Sequence, residues 1–468
     1  MRTLTMQHIA EATGGRLTGD PALTVTSIVI DSNQAKPGCL FVPQIGQRVD
    51  AHDFIGSAAN NGAVAAVISR EPANIKVFSA WVTVDDTLRA LQDIARYYRN
   101  RFSVPIITVT GSVGKTSTKD MIADALSVSL QVAKTAGNMN SRVGLPLSLL
   151  TMEDGDQAGV FELGMSEFGE IAELSGISLP DIAVITNIGL SHIEQLGSQE
   201  NIMREKLSIN AGMSDNGILV LNGDDPFLAP YRNNLPQRTV FYGMAEWCDY
   251  RAGEIVSDLT GVAFNLYYPG GRQEVHLPVP GQHNVYNALA ALAVADLSSV
   301  PITDAASALA DFHNEKMRLQ ISECGGIQVI DDTYNASPDS MRAALAVLAD
   351  CHPEGRRIAV LADMFELGEL SQQSHYELGL TVAALGIDLL LTVGERAAGI
   401  AAGAESVGGP VKTERFANNG EALARLQVIL EPGDAVLVKG SRGMHTEEIV
   451  AGIKDAMALE GVPIDAGG

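Results

Sequence analysis

The sequence predicts an α/β protein of three domains: a small N-terminal α/β domain, a central P-loop, mononucleotide-binding domain on a parallel sheet, and a C-terminal Rossmann-like domain. Three observations carry this expectation. A chain of 468 residues is longer than one hydrophobic core covers, so about three units are expected. From residue 104 onward, short apolar runs alternate with helical patterns, the texture of a mostly parallel sheet covered by helices. That texture starts afresh after an Ala-rich stretch at 287–297, with a second series of apolar strands.

Taken in order, the first ~80 residues hold short β-rich runs such as 25–30 and 39–42, separated by Gly, Pro and Asp turns. Strands of the central unit are expected at 105–110, 159–163, 182–188 and 218–222, and those of the third at 327–330, 357–361, 389–393 and 435–438. Boundaries near Trp81 and Phe312 give domains of 1–82, 83–312 and 313–468. Neither a short internal repeat nor a long low-complexity linker is visible, and the Gly-rich end at 464–468 is expected to fray.

Composition narrows the function. With 46% hydrophobic and 19% charged residues, the chain can bury a sizeable interior, yet no run reaches the ~18 apolar residues of a membrane span. Lys+Arg 32 against Asp+Glu 56 leaves a formal net charge of −24. Such a surface opposes a polyphosphate backbone and argues against nucleic acid as a partner, so a bound anion must be held locally. The first residues lack the apolar core of a signal peptide, and Cys39, Cys248, Cys324 and Cys351 have no Cys-x-x-Cys spacing. A reducing cytoplasm is the expected compartment.

The strongest local signal is Thr110-Gly111-Ser112-Val113-Gly114-Lys115-Thr116-Ser117, between an apolar strand and a helix whose Ile122, Leu126 and Leu130 stand in i, i+4 register. Glycines let backbone N–H groups approach phosphate oxygens, a helix N-terminus supplies partial positive charge, Lys115 neutralises β/γ-phosphate charge, and Thr116 can ligate Mg²⁺. The blander alternative is a Gly-rich turn with an accidental lysine. Only Ser112 and Val113 separate Gly111 from Gly114, a shorter loop than the common pattern, and no Asn-Lys-x-Asp guanine reader occurs. ATP is therefore expected rather than GTP.

Three residues downstream could complete such a site. Glu162 ends an apolar strand, where a lone carboxylate must be paired, protonated or metal-bound, and a magnesium ligand is the sharp expectation. His192 follows the next strand and could share its carboxyl edge with the loop, although, taken alone, a hydrogen-bonded loop histidine is the more ordinary reading. Lys206, taken alone, reads as a solvated helix charge.

Wider blocks carry a family resemblance nearly end to end. They are Asp31-Ser32, Gly38 to Phe41 and Asp50 to Phe54, then the phosphate loop, Gly137 to Ser141 leading into Gly144-Leu145-Pro146, Glu162-Leu163-Gly164, and Asn187 to His192. Later come Gly281 to Asn287, Met317-Arg318, Asp331 to Pro338, Asp363 to Gly368 and Lys439 to Arg442. On these the chain resembles the Mur ligases, and within them the branch that adds D-Ala-D-Ala to UDP-MurNAc-tripeptide, which the block from Asp331 to Pro338 separates from its relatives.

The resemblance implies an N-terminal domain for the UDP end of the precursor, a central ATPase, and a third domain closing over the amino substrate. It implies ATP phosphates on Gly111 to Ser117, with Lys115, His192, Lys206 and Arg318 as catalytic groups. Mg²⁺ would lie on Thr116, Glu162, His192 and a carbamylated Lys206. Asn284 and Asn287 would face adenine, Arg318 the γ-phosphate and Asp332 the ribose, with the adjacent Asp331 an open alternative. Substrate contacts would fall to Ser32, Asn138, Asn140, Ser141, Tyr334 and Asn335. A monomer working on small molecules in the cytoplasm is expected.

The pattern departs from the family's at Asn33, Ser141 and Ser337, where Arg, Asn and Asn are usual; Asn33 cannot make an arginine's bidentate contact. Rival readings are another Mur-type ligase such as the diaminopimelate-adding one, whose Asp-Asn-Pro-Arg motif is missing, then folate-type polyglutamate ligation, a P-loop small-molecule kinase, and a non-catalytic nucleotide-dependent interaction protein.

Overall fold

Three main sheets divide the chain in the computed structural model, which describes residues 1–232, 235, 237–351 and 353–460; the segment 464–468, expected to fray, lies outside them. The N-terminal sheet has five strands in the order Arg16–Gly19, Ala80–Thr83, Ala65–Ile68, Cys39–Phe41, Ser27–Val29, the first antiparallel and the rest parallel. The run expected at 25–30 is broken: Thr24–Val25 pairs with Leu4–Thr5 in a separate ribbon, and Ser27–Val29 joins the sheet. The helix Thr87–Arg99, capped by Asp86, then carries the chain into the central unit.

The central sheet has nine strands. Ile106–Thr110 lies between Ala158–Glu162 and Ile182–Ile185, all parallel, with Glu162 level with Val109 and Ile185 level with Thr110. Because Ile106, Ile107 and Val109 are fully buried, each contributes roughly 1.5–3 kcal/mol of burial, and the strand reads as a continuous apolar run. Aligned strand ends put the loops after residues 110, 162 and 185 at one carboxyl edge, where a doubly wound sheet binds its ligand.

Two expectations are corrected in this unit. The helix after the phosphate loop is Lys115–Ser127, so Leu130 lies beyond it and the register stops at Leu126. The strand expected at 182–188 ends at Ile185, because Thr186 and Asn187 turn to grip the phosphate loop. The sheet also extends through an antiparallel meander, Tyr250–Asp258, Gly261–Tyr268 and Gly271–Leu277, that the apolar runs do not reveal. Its strands alternate polar and apolar with half their face in solvent, and Asp258 holds the first turn by accepting from Thr260 and Gly261 N–H.

The Ala-rich helix is Gln282–Leu297, buried from Ala288 to Ala295 against the sheet and the phosphate-loop helix, whose close approach its small side chains permit. The C-terminal sheet has six strands in the order Gln320–Cys324, Ile327–Asp331, Ala435–Lys439, Arg357–Ala362, Leu389–Val393, Lys412–Phe416, parallel apart from the first. Its carboxyl edge, at Asp331 and Lys439, faces that of the central sheet. Among the described residues no helix is long and apolar enough to cross a membrane.

Candidate active site

The two facing edges enclose a cavity of about 350 Å³ lined by residues 112–117 on one side and by Arg318, Asp332, Tyr334, Asn335 and Lys439 on the other. The phosphate loop is held from behind. Asn187 Oδ1 accepts from Val113 N–H at 2.9 Å while its Nδ2 donates to Val113 O at 3.0 Å, and Thr186 Oγ1 donates to the same carbonyl at 2.6 Å. Gly111, at φ +148°, presses so closely on Thr186 that a Cβ would stand 1.8 Å from its hydroxyl oxygen. A side chain there would push the loop off its support.

Lys115 Nζ donates to the carbonyls of Gly111 and Ser112 at 2.9 and 3.3 Å. Poor solvation draws its pKa below the ordinary lysine value, with Glu162 pulling the other way. Thr116 Oγ1 donates to Glu162 Oε2 at 2.8 Å, Asn140 Nδ2 donates to Glu162 Oε1 at 2.7 Å, and Arg318 Nη2 donates to Thr116 Oγ1 at 3.0 Å. The Arg318 guanidinium also lies 4.0 Å over the Tyr334 ring. A hydroxyl, a buried carboxylate and a phosphate-loop helix therefore meet beside a cation from the third domain.

Oxygen donors of this kind suit magnesium. Among the described residues no three His, Cys, Asp or Glu side chains form a metal cluster, so an ion here would draw its remaining ligands from phosphate and water, as magnesium commonly does. His192 instead has its Nδ1 2.6 Å from Glu366 Oε2 of the third domain, which holds the Glu366 carboxyl below its usual pKa. Lys206 is fully buried behind Met165, 3.9 Å from its sulfur, rather than on the cavity wall. Burial, with Lys115 nearby, holds its amine well below the ordinary lysine range, so it is no solvated helix charge. Its neighbour Glu205 fixes the helix by accepting from Gly169 and Ile171 N–H, both at 2.8 Å.

Asn284 and Asn287 line the cavity but are joined to each other at 3.1 Å, with Asn287 also accepting from Thr118 at 3.0 Å. Of the two aspartates left open, Asp332 reaches the cavity, whereas Asp331 accepts from Thr333 N–H and Oγ–H. Asp332 accepts from Leu319 N–H at 3.1 Å and from Lys439. Asn138, Asn140 and Ser141 also line the cavity. Ser32 does not: it is buried in the N-terminal domain, its carbonyl accepting from Asn61 at 2.9 Å. His283 and Lys439 also belong to the wall; both stand in blocks that carry the resemblance, which assigns neither of them a role.

Family models match in three consecutive blocks: "Mur ligase family, catalytic domain" at residues 24–99, "Mur ligase middle domain" at 109–295 and "Mur ligase, glutamate ligase domain" at 317–442. The UDP-N-acetylmuramoyl-tripeptide–D-alanyl-D-alanine ligase of Bacillus subtilis is 37% identical over 95% of this chain and 97% of its own. Among solved structures, MurF from Acinetobacter baumannii superposes with a TM-score of 0.91 at 33% identity, covering 97% of this chain and 99% of that one. MurF ligase from Thermotoga maritima, solved in complex with ADP, gives 0.83 at 29% identity over 93% and 99%.

Proposed function

The chain belongs to the Mur ligase family, and from that premise we propose that it joins D-alanyl-D-alanine to UDP-N-acetylmuramoyl-tripeptide with cleavage of ATP to ADP and phosphate. The observation that carries this reading is the meeting of the phosphate loop and Glu162 with Arg318, Asp332 and Lys439 of another domain on one cavity. A kinase could use the first set alone; a ligase must also bring up an amine and exclude water while an activated acyl group waits.

In this mechanism the terminal carboxylate of the tripeptide attacks the γ-phosphorus of ATP, ADP departs, and an acyl phosphate forms. The amine of D-Ala-D-Ala, having lost its proton, attacks the acyl carbon; a tetrahedral intermediate collapses, phosphate leaves, and the amide remains. Lys115 and the first N–H groups of the helix Lys115–Ser127 orient the phosphates, and Arg318 offsets charge on the transferring group. Thr116 and Glu162 would hold magnesium, which would supply further positive charge where two anions must approach. Asp332 is the acceptor available to ribose hydroxyls. In this reading Asn138, Asn140 and Ser141, which line the cavity with Glu162, hold the tripeptide end, and Tyr334 and Asn335 the incoming amine; Ser32 lies in the domain that would take the uridine end. Lys206, whose burial favours the uncharged amine that reacts with CO₂, is suited to become a carbamate with loss of a proton, and that carbamate together with His192 would offer further ligands to the metal. The cytoplasm, where ATP is made and the four free cysteines stay reduced, is the compartment that fits, and a monomer holds every group named.

The test is phosphate release with ATP, Mg²⁺ and UDP-MurNAc-tripeptide, with and without D-Ala-D-Ala, beside mass spectrometry of the nucleotide-sugar product. Release that needs the dipeptide, with a product heavier by that dipeptide less water, is expected. Release supported by a single amino acid would overturn the substrate, and a stable phosphorylated product would replace the ligase by a kinase.

A further inference from the structure

Lys119 stands one turn beyond Lys115, is 0% exposed, and has no part in the mechanism above. An ammonium inside a protein must be paired and hydrogen-bonded to be tolerated. Its Nζ donates to Thr135 O at 3.0 Å, and lies 3.1 Å from Asp120 Oδ1 and 3.7 Å from Glu315 Oε1. Asp120 Oδ1 also takes Lys134 Nζ at 3.0 Å, so one carboxylate oxygen serves two cations and Glu315 supplies the further negative charge.

Glu315 belongs to the segment joining the central and C-terminal domains. Met317 and Leu319, either side of Arg318, both sit in the left-handed region at φ 65° and 46°, which side-chain-bearing residues occupy only when their surroundings hold them there. Met317 O accepts from Tyr334 N–H and Leu319 N–H donates to Asp332 Oδ1, both at 3.1 Å. The segment is thus pinned to the third domain at 317 and 319, and to the second at Glu315. On the other side of Lys119, Thr135 Oγ1 accepts from Glu162 N–H at 3.1 Å. Contacts then run from Glu162 to Thr116, from Thr116 to Arg318, and back along the segment to Glu315: a closed ring through Lys119.

Resting on the ligase reading, we propose that Lys119 is a positioning residue: by tying Glu315 to the strand end that carries Glu162, it sets where Arg318 meets the transferring phosphoryl group. Glu315→Gln keeps the side chain's shape on a partly exposed residue, so it tests the tie without emptying the core, with Lys119→Met as the second variant. Glu315→Gln should lower kcat roughly tenfold while the KM for ATP stays within about twofold, because alignment in the transition state suffers and ground-state phosphate binding does not. Added to Arg318→Lys it should cause little further loss, since both act through one guanidinium. Backbone amide exchange across residues 315–319 and 332–334 of the full chain should rise severalfold, with Ile182–Ile185 unchanged.

Wild-type kcat in Glu315→Gln, a kcat loss that multiplies with that of Arg318→Lys, or unchanged exchange in the segment would each overturn the proposal. A variant that lost only melting temperature would do the same, by reducing Lys119 to a structural role. Absence of dipeptide-dependent turnover in the wild type would sink the ligase reading instead, and the exchange comparison would still decide whether Lys119 holds the segment.

Discussion

In the proposed mechanism Lys115 serves both phosphate binding and catalysis, and its burial sharpens the expectation for its removal. Lys115→Ala deletes a poorly solvated ammonium whose hydrogen bonds are all to loop carbonyls, so the fold should survive while turnover falls to background. Circular dichroism and phosphate release check the two halves of that statement. His283 gives a pH dependence. Burial in the cavity wall pushes its pKa down to about 4 from 6.5, with Asp332 opposing. The unfolded chain therefore binds the proton first, so stability is complete above about pH 6.5 and is lost as pH falls toward 4. The urea midpoint should drop between pH 7 and pH 5 by more in the wild type than in His283→Gln. What the sequence reveals at this scale is the loop itself and Glu162, whose chemistry is local. It does not separate Asp331 from Asp332, since neighbouring strand-end carboxylates differ only in the direction the chain turns. Nor does it give a role to Asn187, which opens one of the blocks that carry the resemblance but whose grip on Val113 depends on the strand ending at Ile185.

Elements built on largely apolar runs are legible because burial on both faces leaves an unambiguous pattern, as at Ile106–Thr110 and Leu389–Val393, both buried along their whole length. The meander at 250–277 escapes because strands with one wet face dilute that signal with Arg251, Glu254, Arg272 and Glu274. One departure from the family pattern finds its explanation as a helix cap. Ser337 Oγ accepts from Ser340 N–H, and Ser340 Oγ accepts from Ser337 N–H, closing a capping box on the helix Pro338–Asp350. Asn caps as well as Ser, so the exchange leaves the element intact. Ser337→Ala should destabilise the protein by about 1 kcal/mol and Ser337→Asn by a few tenths, measured as the shift in denaturation free energy.

Across the described residues the polar contacts that hold the third domain over the second include Arg318 on Thr116, Glu366 on His192, Glu315 on Lys119, Glu194 N–H donating to Glu366 O at 3.2 Å, and Asp339 accepting from Leu190 N–H at 3.3 Å. Partly exposed pairs of this kind are worth little individually, which would suit a domain that opens for product release in the proposed mechanism. Asp339→Ala combined with Glu366→Ala should enlarge the radius of gyration in solution scattering without nucleotide, and ATP with Mg²⁺ should reverse part of the increase; identical curves for both proteins would remove these contacts from the closing interface. Domain number and order follow from the repeated strand texture. The relation of one domain to another does not, because it rests on single side chains far apart in sequence. The meander has a consequence for the molecule's behaviour in a crowded solution. A long parallel sheet ends in a row of unsatisfied amides that invites a neighbouring chain to add itself. Here the outermost strand, Gly271–Leu277, points Arg272, Glu274 and His276 into solvent, and the opposite border, Val132–Lys134, is three residues long. Charge at one border and brevity at the other disfavour edge-on addition of a further chain to this sheet.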